Sequence, residues 1–216
     1  MPPARYRYQT IEFGDTDIHV KTLRDKQQFS DDENVAARLG ISCATWSLFG
    51  VIWPSGDALA NVMFACDVRG KRILEVGCGI GLASLVLNHR CADITATDRH
   101  PEVQALLAIN TALNGDNEIP FVRTAWADPK TELGEFDLII GSDVLYETEH
   151  AVELAGFIDN HARTHCEVII TDPGRRQRGR FNSQMAQRGY TRLQRKCAED
   201  AKLAPSYSGQ IMHFKR

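Results

Sequence analysis

The run Arg72-Ile73-Leu74-Glu75-Val76-Gly77-Cys78-Gly79-Ile80-Gly81, followed by Leu82-Ala83-Ser84-Leu85-Val86-Leu87, constrains the fold more than any other stretch of the chain. Ile73, Leu74 and Val76 have the aliphatic character of a short strand covered on both faces. Three glycines at alternate positions then let the backbone turn sharply and approach a ligand where a Cβ would collide. The apolar run after Gly81 has the pattern of a helix, and the first N–H groups of a helix have no partners within it. By itself, this unit predicts a nucleotide-like ligand at a helix N-terminus.

Two details narrow the ligand. The spacing is Gly-x-Gly-x-Gly, not the Gly-x-Gly-x-x-Gly of dinucleotide-binding dehydrogenases. Glu75 stands two positions before the first glycine, where a carboxylate repels a pyrophosphate and welcomes a cationic ligand. Asp98 follows about twenty residues beyond that glycine, where an acid in a nucleoside-binding α/β fold accepts hydrogen bonds from ribose hydroxyls. The same residue is also suited to cap a helix beginning near Pro101. Together these features point away from nicotinamide cofactors and toward S-adenosylmethionine, a nucleoside carrying an amino acid and a sulfonium.

The rest of the chain alternates in a way that sets the fold class. Residues 5–13 and 17–23 have the pattern of two strands joined at Gly14-Asp15, an N-terminal hairpin. The polar break at 30–33 caps a short helix over 34–39, and a second helix spans 57–66. After the glycine turn come a strand over 93–97, a helix over 101–113 with proline in its first turn, and a strand over 119–124. The strongly apolar strand 136–141 follows, then a helix over 148–161, a strand over 167–171 and a helix over 178–188. Residues 190–195 and 210–215 form a final antiparallel pair. The expected fold is α/β: a Rossmann-like seven-stranded mixed sheet, parallel with a C-terminal antiparallel hairpin, flanked by helices and extended by the N-terminal hairpin. The chain of 216 residues fits a single domain, with 1–44 as the extension and 45–216 as the core.

Composition excludes several classes. A hydrophobic share of 43% and a charged share of 25% suit a soluble globular protein. A net charge of −3 gives no general attraction to nucleic acid or an anionic membrane. No apolar run is expected to span a bilayer, and the first residues lack a signal-peptide core, so a cytoplasmic location is expected. The six cysteines contain no Cys-x-x-Cys pair, which favours reduced thiols over disulfides or a zinc cluster, and no metal is expected.

The motifs taken together are specific. Glu75-Val76-Gly77-Cys78-Gly79-Ile80-Gly81, Asp98, and Phe136-Asp137-Leu138-Ile139-Ile140-Gly141-Ser142-Asp143-Val144-Leu145-Tyr146-Glu147 resemble the seven-β-strand S-adenosylmethionine-dependent methyltransferases. Asp143-Val144-Leu145-Tyr146 is similar to the Asp-x-x-Tyr/Phe signature of the methyltransferase-like protein lysine methyltransferases. The segment beginning Trp53-Pro54-Ser55-Gly56 is similar to their tryptophan-containing element, and Asp172-Pro173-Gly174-Arg175 resembles the branch that modifies the electron transfer flavoprotein β subunit. The resemblance covers residues 45–171 well and the ends loosely.

The resemblance implies roles for individual residues. Glu75, Gly77 and Gly79 would line the methionine and ribose end of S-adenosylmethionine, and Asp98 would hold the ribose hydroxyls. Trp126 would border the adenine or else pack in the core, and Asp128 would sit near the adenine or cap a turn. Trp53 would wall the methionine pocket or buttress Pro54. Ser142 and Asp143 end the fourth strand of the parallel sheet, where ligands of open α/β sheets gather. Asp143 would orient an incoming amine, with a helix cap as its alternative role, and Tyr146 would wall the slot that the amine enters. The implied activity is methyl transfer to a protein lysine; a small-molecule N-methyltransferase of the nicotinamide type and an RNA methyltransferase are the alternatives. The expected partner is a protein, not a membrane or nucleic acid. The absence of prolines in Ser142-Asp143-Val144-Leu145-Tyr146 separates it from the Asn/Asp-Pro-Pro-Tyr element of many nucleic-acid enzymes. Two other signals remain. His161 and His165 have a metal-friendly spacing without a surrounding zinc motif. Arg175-Arg176-Gln177-Arg178-Gly179-Arg180 is a basic run that reads either as a solvated loop and helix start or, by its place after the fifth strand of the parallel sheet, as a contact with an acidic protein surface or RNA phosphate.

Overall fold

The computed structural model describes residues 4–128, 131–193 and 207–216. Strands β1 (Tyr6–Phe13) and β2 (Thr16–Leu23) form the expected hairpin. Ile18, Val20 and Leu23 of β2 are buried, whereas β1 is mostly open to solvent. The hairpin docks without joining the main sheet. Helix α5 (Val103–Leu113) and its C-terminal cap present two amides, Asn110 and Asn114, to the edge of β2. Asn110 accepts from Lys21 N–H at 2.7 Å, and Asn114 accepts from His19 N–H at 2.8 Å while donating to His19 C=O at 2.9 Å. The amides thus replace the strand that this edge lacks.

The short helix expected over 34–39 is a single turn, α1 (Val35–Arg38). Its cap comes from Asp31, whose carboxylate accepts from Ala36 and Ala37 N–H at 3.1 and 2.9 Å. Helix α2 (Cys43–Trp46) and a 3-10 turn (Ser47–Gly50) lead to α3 (Pro54–Ala65), which starts before the expected residue 57 because Pro54 occupies its first turn. Contrary to the expectation of no membrane-length stretch, Cys43–Ala65 has the length for one and a mean hydropathy of 1.2 over its most apolar part. Half of that part is buried within the protein, where core packing accounts for its apolarity.

Among the described residues, seven strands form the main sheet: β3 (Arg72–Val76), β4 (Asp93–Asp98), β5 (Phe121–Arg123), β6 (Phe136–Ser142), β7 (Ala162–Asp172), β8 (Thr191–Leu193) and β9 (Gln210–Lys215). Their spatial order is β5-β4-β3-β6-β7-β9-β8, parallel except for β9, which runs against both β7 and β8. The mixed sheet expected from the sequence is therefore present. Strand β7 starts earlier than residue 167, because Ala162 pairs with Phe136 before an irregularity resets the register to Leu138 opposite Glu167. Residues 194 and 195 of the expected eighth strand lie outside the described residues.

Helices α4 (Leu82–His89), α6 (His150–His161) and α7 (Arg178–Gln187) complete the layers. Successive residues of the central strands enter opposite cores. Ile73, Leu138 and Ile140 pack with the side chains of α3, α4 and α5, whereas Leu74, Val76 and Ile139 pack with those of α6 and α7. This two-sided burial is the reason that Ile73-Leu74 and Leu138-Ile139-Ile140 are consecutive aliphatic residues. His161 closes α6, bonding to Thr131 and to the Gly134 carbonyl at 2.8 Å each, while His165 lies exposed on β7. Their spacing is therefore not that of two residues on one helix.

Candidate active site

The sheet order reverses at β3, from which the chain runs outward to β4 and β5 and then returns to β6 on the other side. A cleft of about 350 Å³ opens at the C-terminal ends of these strands, the position where open α/β sheets bind ligands. Its size lies within the roughly 300–1,000 Å³ of small-molecule sites. Trp53, Glu75, Gly77, Gly79, Asp98, Trp126, Ser142, Asp143 and Tyr146, the residues singled out from the sequence, all line it.

The glycine turn forms the floor. Gly77 has φ 59°, and a Cβ there would lie 3.0 Å from Val144 Cγ1 and 3.3 Å from Trp126. Gly79 has φ 53°, and its Cβ would lie 3.0 Å from the carbonyl oxygen of Phe49. Both positions combine a left-handed backbone with tight packing, which only glycine satisfies. Glu75 lies beneath the turn and is 2% exposed. Its carboxylate accepts from Ser84 N–H at 2.9 Å and from the Ser84 hydroxyl, so it holds the first turn of α4 as well as lining the cleft. Burial pushes this acid up to about 7, against the opposing hydrogen bonds from Ser84.

Asp98 joins the floor to the wall. One carboxylate oxygen accepts from Gly79 N–H at 2.9 Å and the other from His100 N–H at 2.8 Å. Burial raises its pKa, and the two backbone donors oppose the rise. The alternative role as cap of the next helix does not hold, since α5 begins at Val103 with Glu102 at the cap. His100, which sequence reasoning missed, stacks on Phe49 with centroids 4.0 Å apart and meets Trp46 edge-on at 5.6 Å. Burial, reinforced by the charge of Arg99, pulls its imidazole down to about 4, so a neutral aromatic plate faces the cleft near Asp98. Nothing local in the sequence marks His100 for this position.

Trp126 reaches the cleft from the loop after β5, half-buried, with its rim against Gly77. Asp128 turns inward to its own loop, accepting from Ala125 N–H and Thr124 Oγ1, as a turn cap does. Trp53 lies ahead of Pro54, its indole N–H donating to Leu48 C=O at 2.9 Å and its ring beneath the Lys26 ammonium. It is thus both a wall of the cleft and a fixture for the entry into α3.

The second half of the cleft comes from β6 and β7. Asp143 adopts φ 52° immediately after β6, and its N–H donates to Thr171 C=O at 2.9 Å. It does not cap α6, which starts at His150. Arg175 grips its carboxylate with two parallel bonds, Nε at 2.8 Å and one terminal nitrogen at 2.9 Å. Tyr146 is 40% exposed at the mouth. Buried His150 sits between two rings, edge-on to Tyr146 at 4.6 Å and to Trp126 at 4.9 Å. Its Nδ1 donates to Val144 C=O at 3.1 Å, and its Nε2 lies 3.1 Å from the Glu147 carboxylate. Burial lowers the His150 pKa while Glu147 opposes the shift. The contact of His150 with Trp126 and the Arg175 pair were not evident from the sequence, because each joins elements that fold together only in the tertiary structure.

Residues 38–188 match the Lysine methyltransferase family. The electron transfer flavoprotein beta subunit lysine methyltransferase of Mus musculus is 33% identical over 136 residues, covering 61% of the chain. The chain spans about half (51%) of that relative's length. The protein N-lysine methyltransferase METTL21A of Danio rerio is 27% identical over 158 residues, 70% of each chain. Among solved structures, the T. thermophilus 16S rRNA N2 G1207 methyltransferase RsmC, in complex with AdoMet and guanosine, superposes with a TM-score of 0.67 at 12% identity, over 99% of this chain and 51% of that one. At that identity the likeness concerns the fold alone. The glycine turn, Asp98 and the Asp143–Tyr146 element all fall inside the matched region, and the chain belongs to the lysine methyltransferase family.

Proposed function

We propose that this protein is an S-adenosylmethionine-dependent methyltransferase that acts on a lysine of a protein partner. The observation that carries the reading is the convergence of Asp143 and Tyr146 on the same cleft as the glycine turn and Asp98. Family membership and relatives named for lysine methylation support it.

The residues present fit the cofactor. Left-handed Gly77 and Gly79 hold the turn so that its backbone lines the cleft floor. Asp98 places a carboxylate beside the turn for the ribose hydroxyls, and Trp126 and the His100–Phe49 pair offer aromatic surface for the adenine. Glu75 and Trp53 border the methionine end, with Ser142 next to α3 across from Gly56. When bound, S-adenosylmethionine supplies a methyl group already activated by its sulfonium. The protein's task is binding, alignment and exclusion of water.

An acceptor lysine has an ordinary pKa of about 10.4 and must lose its proton before it attacks. Asp143 attracts the incoming ammonium and orients it through hydrogen bonds. Tyr146, whose hydroxyl pKa is raised by burial, stays neutral and offers its ring as a wall. Withdrawal of the ammonium from water between Tyr146 and the cleft floor favours the neutral amine. Aromatic faces also attract methylated ammonium groups, so the same slot suits repeated transfer.

The test uses labelled S-adenosylmethionine with proteome extract, followed by peptide mapping. Label on protein lysines is expected, with a loss of at least about tenfold for Asp143→Ala and a smaller loss for Tyr146→Ala. Cofactor affinity, measured by calorimetry, should hold in both. Full methylation by both variants, or label confined to small metabolites or RNA, would overturn the reading.

A further inference from the structure

The carboxylate assigned to receive the acceptor is already occupied. Arg175 binds Asp143 through two nitrogens, in the fork geometry that makes guanidinium–carboxylate pairs the strongest of the charge-assisted hydrogen bonds. Asp143 is nearly enclosed, with a side chain 11% exposed, while Arg175 covers it from the solvent side at 42%. The chain holds Arg175 in this place deliberately in structural terms. The buried carboxylate of Asp172 accepts from Gly174 N–H at 2.8 Å and from Arg175 N–H at 2.7 Å, and Gly174 adopts φ 111°. The turn therefore aims the Arg175 side chain across the mouth at a residue 32 positions earlier in the chain.

We propose that Arg175 is a specificity-determining residue: the acceptor's ammonium takes its place on Asp143, and the released guanidinium pairs with a carboxylate of the substrate next to the acceptor lysine. This rests on the lysine reading of the same site. Both cations compete for one enclosed carboxylate, so the acceptor must displace Arg175. Residues 173–180 carry four arginines and no acid. Arg176 and Arg180 are exposed, and Arg180 turns back to the carbonyl of Thr148. Glu147, the acid nearest in sequence to Asp143 on this rim, is already placed against Arg99 at 3.6 Å and His150 at 3.1 Å. Releasing Arg175 thus adds a free cation beside exposed Arg176, and an acid on the substrate supplies the complementary charge. A lysine flanked by another lysine or arginine meets like charge there and is rejected.

Two measurements test this. The first is methyl transfer to synthetic lysine peptides that differ only in having Asp/Glu, Asn/Gln or Lys/Arg beside the acceptor. Acid-flanked peptides should exceed neutral ones by about tenfold in kcat/KM, and Arg175→Gln should erase that margin through KM, while Arg175→Glu should shift preference to basic flanks. Equal use of acidic and neutral peptides by the native protein, or a preference that survives Arg175→Gln, overturns the proposal. The second needs no turnover: binding of n-butylammonium, the end of a lysine side chain, to the S-adenosylhomocysteine complex, followed by NMR. Arg175→Gln should bind it about tenfold more tightly than the native protein, and Asp143→Asn should abolish the gain. Equal affinity in native protein and Arg175→Gln overturns the displacement. If no lysine in peptides or extract is methylated, the lysine reading fails, and the ammonium measurement still decides whether Arg175 blocks Asp143.

Discussion

Replacing Glu75 by Gln isolates the consequence of burying an acid under the glycine turn. The residue is 2% exposed, and burial moves its pKa from 4.5 to about 7. The folded protein therefore holds this proton more tightly than the unfolded chain does. Its contribution is fully favourable below the unfolded value and is lost as the pH rises through about 7. At about 1.4 kcal/mol per pK unit the full span is about 3.5 kcal/mol, of which about 2.5 kcal/mol falls between pH 5 and pH 8.5. Gln keeps an oxygen for Ser84 N–H and the Ser84 hydroxyl but does not titrate. Urea unfolding of both proteins without cofactor, from pH 5 to 8.5, should show native stability falling by about 2.5 kcal/mol relative to Glu75→Gln. The native profile alone would hide this, because burial of neutral His100 has the opposite sign over much of the same range. Parallel curves, or native protein gaining on the variant as the pH rises, would refute the reasoning.

The reverse dependence is expected at His100, whose pKa burial lowers from 6.5 to about 4. Relative to His100→Asn, the native protein should lose about 3 kcal/mol as the pH falls from 7.5 to 4, because the unfolded chain takes up the proton first; a pH-independent difference in unfolding midpoints would contradict burial of the neutral ring. Gly79→Ala forces φ 53° on a residue with a Cβ and sets that Cβ 3.0 Å from the Phe49 carbonyl oxygen. A backbone penalty of about 1–2 kcal/mol is expected, together with at least a tenfold weaker calorimetric affinity for S-adenosylmethionine. Native affinity in a folded variant would show that the turn does not cradle the ligand. Asn110→Ala leaves the Lys21 N–H without its partner and should destabilise the protein by about 1–3 kcal/mol. Amide exchange at Lys21 should accelerate, and unchanged protection there would show that the hairpin edge is held by other means.

The part of the site most legible in sequence was the part built by local chain chemistry. Three glycines at alternate positions demand a turn, and an acid at a strand end beside such a turn has few alternative uses, so Gly77, Gly79 and Asp98 could be placed without coordinates. The strands were visible for a related reason. Burial on both faces makes 138–140 a consecutive aliphatic run, and β2 shows one buried face through Ile18 and Val20. What sequence reasoning missed depends on partners brought together by folding. The Ser84 bonds to Glu75 and the Phe49 stack on His100 join residues from different elements. The fork between Arg175 and Asp143 spans the two loops that leave β6 and β7, so the sequence singled out each residue without showing that they pair.

The reversal of strand order at β3 also explains why the glycine turn is silent about the methyl acceptor. Strands β3, β4 and β5 supply Gly77, Gly79, Asp98 and Trp126 to one half of the cleft, while β6 and β7 supply Asp143, Tyr146 and Arg175 to the other. The halves meet where the rings of Trp126, His150 and Tyr146 follow one another edge to face. A binding half assembled from hydrogen bonds within one run of the chain can keep its geometry while the loops after β6 and β7 vary. On the proposed function, selection among acceptors should act through those loops, on the charge exposed when Asp143 exchanges one cation for another. On the same reading, a substitution at Arg175 should change which lysine is chosen without touching the residues assigned to the cofactor, whereas a substitution at Gly79 or Asp98 should weaken binding of the methyl donor for every acceptor alike.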